Sequence, residues 1–155
     1  MKRPLRLRRL PAILFATTVM FELVAVMLST GLEPLYDTLV YATYTITLAG
    51  AGALIASRHR RNPIGWLFCG IAMLNAIAAD TAQGWGLRAA ANSWPGGPLA
   101  ECIALVSWIP SAPATVLTFL LFPDGRALRK GWLAVAGVNL TGAALAVPGW
   151  AQLCS

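Results

Sequence analysis

Five apolar runs, each about as long as a bilayer is thick, are cut by short basic segments, and that alternation leaves the chain very few folds. The runs cover residues 10–30, 38–57, 63–83, 99–122 and 132–150. A helix needs about 20 apolar residues to cross the hydrocarbon core. No run alternates apolar and polar residues as a barrel strand does. In lipid the backbone must satisfy its own hydrogen bonds, which leaves helices. The expected fold is an all-α, polytopic helical membrane bundle of about five transmembrane helices. A basic N-terminal segment, residues 1–9, precedes a helical membrane domain, residues 10–155. Of the 155 residues, 12% are charged and 57% hydrophobic, against about a quarter charged in soluble domains. That is too little polar surface to cover a water-soluble core, and the expected location is the cell membrane, crossed several times.

Charge placement sets the expected direction. Of the 12 Lys and Arg residues, all but Arg88 fall into three clusters, at residues 2–9, 58–61 and 126–130. Each cluster abuts an apolar run, and with five spans all three share one side. The positive-inside rule makes that side, and the N-terminus, cytoplasmic. The other side is expected to hold Glu33, Asp37, Asp80, Arg88 and Glu101. Aromatic residues fit an interfacial belt: Trp66 and Trp132 follow the inner loops, while Tyr36, Tyr41, Trp85, Trp94 and Trp150 fall near the outer face. Trp108, inside the fourth run, is the exception. The first run is too long for a signal-peptide core, and "MLSTGLEP" is a poor cleavage site, so it is expected to be a retained span. The net charge of +6 is clustered at membrane flanks, with no stripe of base-stacking aromatics, which argues against nucleic acid. The expected partners are the bilayer and anionic lipids at the inner loops.

The inner loops carry the clearest local signals. In "SRHRRNPIGW", residues 57–66, Arg58, Arg60 and Arg61 can snorkel to phosphates. Asn62 suits a helix N-cap and Pro63 the first helical position, where no amide donor is needed. In "LFPDGRALRKGW", the order Pro123, Asp124, Gly125 predicts a tight turn before Arg126.

These two loops, in order and about fifty residues apart, resemble the N-terminal multi-span membrane (sensor) region of actinobacterial sensor histidine kinases. Arg61, Asn62, Pro63, Gly65 and Trp66 carry the first match, and Pro123, Asp124, Gly125 and Arg126 the second. The resemblance covers residues 52–132, roughly half the chain. It implies a sensory or signalling module of a two-component system, acting through a kinase part or a partner kinase. Kinase activity itself does not carry over to these residues. The single histidine, His59, sits in a basic loop, and the Asn- and Gly-rich ATP-binding motifs of such kinases are not found. No cofactor is implied. Five spans leave Ser155 outside, so on the resembled plan a sixth span would follow it.

Individual residues give further candidates. Glu22 lies near the middle of the first run, where an ionisable group is costly and marks a functional site by default. It stands either as a sensing group or as interhelical hydrogen-bonding glue. Asn75, with Asn139, Ser107, Thr43, Thr45 and Thr47, supplies candidate partners. Gly52 and Ala56, four apart, predict close helix packing, within the chain or against a second copy. Pro110 and Pro113 predict a kink in the fourth span, compensated by Ser107 and Ser111. "GWGLRA", residues 84–89, matches a dinucleotide fingerprint in letters only, because it follows a membrane span and not a strand. Cys69, Cys102 and Cys154 have no metal-ligand spacing, and a Cys102–Cys154 bond would need both at the outer face. The sequence shows no nucleophile triad, no paired carboxylates and no metal-spaced cluster, so no enzyme is expected. The alternative to a sensory module is a structural or accessory subunit of a membrane complex, packed against other spans. A small transporter would need several embedded charges, and Glu22 is the one clear case.

Overall fold

The computed structural model describes residues 5–121, 134–135 and 137–145. Four helical rods in this part are long and apolar enough to cross a bilayer: Arg9–Ser29, Leu35–Arg58, Pro63–Asn92 and Gly97–Leu121. The first belongs to α1 (Leu5–Ser29) and the second is α2 (Leu35–Arg58). The third rod contains α3 (Pro63–Leu74), a π-helical stretch (Asn75–Thr81) and α4 (Ala82–Asn92). The fourth contains α5 (Gly97–Val106) and α6 (Trp108–Leu121). No strand is present among the described residues. Residues 134–135 and 137–145, within the expected fifth span, are also helical. Trp132, Trp150, Cys154 and the second inner loop, with Pro123, Asp124, Gly125 and Arg126, lie outside the described residues, as does the side chain of Trp108.

Short connections make neighbouring rods antiparallel. Gly31, at φ +80°, turns the chain after α1, in the left-handed region that suits a residue without Cβ. Ser93 adopts the left-handed conformation at the end of α4, with the Trp94 amide bonding back to the Ala89 carbonyl at 3.0 Å. Gly96, at φ +80°, then opens α5. The third rod is central: α1 and α2 pack on one side of it, and the fourth rod packs on it through α4–α5 and α3–α6 contacts. At 30 residues it is about 45 Å long, longer than a bilayer core. The third expected span stops at residue 83, short of this length, because Gln83 and Arg88 look like its end; the helix runs on to Asn92.

The interior is built mostly of small residues with a few polar ones among them, while the periphery is large and apolar. The buried line of α2 is Ala42, Thr45, Ala49, Gly52 and Ala56. Leu23, Met27, Leu35, Leu99 and Phe119 point outward, each more than half exposed. A water-soluble core has the reverse arrangement. Helices in lipid gain little by hiding Leu from other Leu, and instead pack through small residues that let backbones approach. A Cβ on Gly52 would meet the Cys69 amide nitrogen at 2.7 Å, and one on Gly65 the Ala56 nitrogen at 2.7 Å. The Gly52 and Ala56 face therefore packs on α3 of the same chain. Gly84 lies equally tight against Leu28, and Gly86 against Glu101, so the two glycines of "GWGLRA" are packing positions on a helix.

The fourth rod breaks at Ser107, between α5 and α6. Pro110 and Pro113 cannot donate to the carbonyls four residues back, so the expected kink has its cause here. Ser107 Oγ donates to the Ala104 carbonyl at 2.7 Å, and Ser111 Oγ lies 3.2 Å from the Ser107 carbonyl.

Candidate functional site

The α2–α3 turn shows how a motif becomes geometry. The Ile64 amide donates to Asn62 Oδ1 at 3.0 Å, which caps α3 with Pro63 behind it. The Asn62 amide closes a turn onto the His59 carbonyl at 2.8 Å. The Trp66 indole nitrogen donates to the Arg60 carbonyl at 2.9 Å. Gly65 admits the α2 backbone, as above. Asn62, Pro63, Gly65 and Trp66 thus each have a role within the α2–α3 hairpin, while Arg58 and Arg61 are left exposed.

The polar centre of the bundle is built by three elements. On α1 the buried line runs through Thr18, Glu22, Ala25 and Ser29, spaced by four, three and four residues, the spacing of one helical face. Glu22 is 1% exposed. On α2 the line described above places Thr45 inward, while Thr43 and Thr47 face out. The third rod brings Asp80, within the π-helical stretch. The carboxyls of Glu22 and Asp80 meet, with the Thr45 hydroxyl against both. Thr45 Oγ1 donates to Asp80 Oδ2 at 3.4 Å. Among the described residues no cationic group acts on either carboxyl. Glu22 Oε1 is buried with no hydrogen-bond partner.

The π-helical stretch has a positional reason. Ala72, Ala76, Asp80 and Gly84 are spaced by four along the side of the third rod that faces α1 and α2. In an α-helix each step of four overshoots a turn by about 40°. A wider turn takes up that drift and keeps Asp80 in line with Ala76 and Gly84. Thr81 Oγ1, 2.6 Å from the Ala76 carbonyl and 3.2 Å from the Phe21 carbonyl, bonds across the widened turn and ties it to α1. Such single π turns recur at functional sites.

A narrow cleft of about 20 Å³ adjoins the pair, lined by Glu22, Ser29, Glu33, Tyr41, Asp80 and Gln83 among others. That is room for about one water. It leads toward the α1–α2 loop, where Gln83 Nε2 donates to Glu33 Oε1 at 2.7 Å. Beside it Arg88 is engaged on the end of α1: Nε donates to the Leu28 carbonyl at 2.6 Å, and Nη2 lies 2.8 Å from the Thr30 carbonyl and 3.2 Å from that of Met27. These are carbonyls a helix end leaves without partners. Arg88 is therefore a helix cap and does not neutralise the acids.

Several expectations are corrected. Asp80 is not an outer-side residue: it lies twelve positions before the end of its helix and faces α1 and α2. Paired carboxylates, invisible along the chain, are brought together across 58 residues of sequence. Asn75, a candidate partner for Glu22, instead accepts from Ser111 Oγ at 3.1 Å and joins the third rod to the fourth. Asn139 bonds within its own helix, to the Val135 carbonyl at 3.3 Å. His59 stays exposed in the α2–α3 turn.

No family model matches the chain, and neither the curated proteins nor the solved structures include a significant match to it.

Proposed function

We propose that this chain is an integral sensory or signalling module of the cell membrane, with five spans and a cytoplasmic N-terminus. On this reading it resembles the input region of the sensor histidine kinases named above. The observation that carries it is the buried Glu22–Asp80–Thr45 cluster, shared by three helices whose other inward positions are mostly small and apolar. Burying charge without a partner costs several kcal/mol per ion, so a change at this cluster changes how the three helices pack. The capped α2–α3 turn then carries that change to the basic loop at residues 58–61. Two loop motifs that resemble the kinase input region support the same reading, and the exposed arginines of the first suit anionic lipid heads.

The test is a two-component assay in proteoliposomes, with the chain and the kinase that co-purifies with it from native cells. Phosphorylation should shift several-fold in Glu22→Gln and again when Arg58 and Arg61 are replaced by Gln. Unchanged output in both variants would sink the reading. Stable co-purification with a complex that contains no kinase would favour the accessory-subunit alternative.

A further inference from the structure

We propose that the Glu22–Asp80 pair is a binding site for one monovalent cation, a proton or an alkali ion, exchanged with water on the side of the α1–α2 loop. Three observations converge. Two carboxyls touch inside the bundle with no cationic neighbour among the described residues, and two negative charges there are not tolerated together. Glu22 Oε1 is fully buried and unpartnered, and its residue lines the cleft, so an unsatisfied acceptor lies beside a space of one-water size. The cleft continues past Ser29 to Glu33 and Gln83, which join at 2.7 Å near the α1–α2 loop. That contact between exposed and half-exposed groups can part without disturbing the core.

The donor set selects the charge of the ligand. Two carboxyls and the Thr45 hydroxyl are too few for Ca²⁺, which takes six to eight oxygens. Among the described residues no group of three acidic, His or Cys side chains is poised to hold a metal. One proton on the pair leaves a single negative charge, and an alkali ion or a second proton then removes it. The groups facing the pair are Thr45 and Tyr41 from α2, Glu33 from the loop, and Gln83 from α4. Arg88, also on α4, is bonded to the carbonyls of α1.

The inference deepens the sensory reading by naming what Glu22 responds to, and only its signalling consequence rests on that reading. Binding is tested on the full chain in detergent, by thermal unfolding and infrared difference spectra. Na⁺ is titrated against choline at constant ionic strength, and pH is varied separately. The expected result is a rise in unfolding temperature with the cation, together with a change in a carboxylic-acid carbonyl band that is absent from Glu22→Gln. A response to Na⁺ that protons compete away identifies an alkali ion, and a response to pH alone identifies a proton. Thr45→Val should shift apparent affinity by about tenfold, weaker for an alkali ion, which loses an oxygen ligand, and tighter for a proton, because the hydroxyl donates to the charged carboxylate; it serves where the acidic variants do not fold. The proposal is overturned if neither Na⁺ nor pH moves that band, or if Glu22→Gln and Thr45→Val titrate as the native chain does. Binding with unchanged kinase output would retire the sensory reading and leave the site standing.

Discussion

At the scale of single residues, the hairpin between α2 and α3 rests on positions that allow little substitution. Asn62 satisfies an amide that the first turn of α3 leaves open. Asn62→Ala should therefore cost about 1 kcal/mol, read as a lower midpoint in thermal unfolding of the detergent-solubilised chain. Gly65→Val should cost more, about 1–3 kcal/mol, because its Cβ would fall 2.7 Å from a backbone nitrogen that no rotamer change can move. The two should add less than fully, since both act on one turn. Arg88 makes a different prediction. Its guanidinium reaches three carbonyls at the end of α1, a fan that the compact ammonium of Lys does not reproduce. Arg88→Lys should thus lose stability nearly as Arg88→Ala does, by about 1.5–3 kcal/mol. Equal stability of Arg88→Lys and the native chain would show that charge alone does the capping.

At the scale of elements, what was legible along the chain followed from local chemistry. Apolar length gives the spans, and Asn62 with Pro63 gives the start of α3 almost to the residue. The Gly52 and Ala56 spacing gives a packing face, though not its partner. Asp80 was misplaced because a polar residue late in an apolar run looks like a span end. A better signal was available: the first strong helix breakers after Pro63 are the Ser93–Gly97 segment with Pro95, Gly96 and Gly97. Measured between those limits, Asp80 falls near mid-helix. Its pairing with Glu22 was not legible at all, since it depends on which face the third rod turns to α1, and the π-helical stretch resets that phase. Thr81 ties the stretch to Phe21 of α1. Thr81→Val keeps the shape and removes the hydroxyl, so it should cost about 1 kcal/mol. It should also alter the Glu22 carbonyl band in the infrared, because the turn that orients Asp80 loses its tie. A stability loss with an unchanged band would mean that packing alone sets the phase.

At the scale of the whole molecule, the arrangement of polarity is that of a bundle solvated by lipid. Among the described residues the largest fully buried side chains are Glu22, Thr18, Thr45 and Pro11, while many leucines and aromatics face outward. Two classes of loop then lie at opposite ends. The α2–α3 turn carries Arg58, Arg60 and Arg61, whereas the α1–α2 connection carries Glu33, with Asp37 in the first turn of α2. Antiparallel packing fixes that these ends are opposite, and the proposed orientation puts the basic end in the cytoplasm, because Lys and Arg resist translocation. Alkaline phosphatase, active only outside the cytoplasm, should therefore be active when fused after Pro34 or Gly96 and silent after Arg61. Replacing Arg58, Arg60 and Arg61 by Gln removes the retaining charge of that turn but leaves Asn62, Pro63 and Gly65 to fold the hairpin. Phosphatase fused after Arg61 should then gain activity, while the full chain keeps its unfolding free energy within about 0.5 kcal/mol, as surface changes do. The opposite pattern, an active fusion after Arg61 in the native chain, would reverse the orientation. The cleft beside Glu22 would then open toward the cytoplasm, and the cation it takes would come from inside the cell.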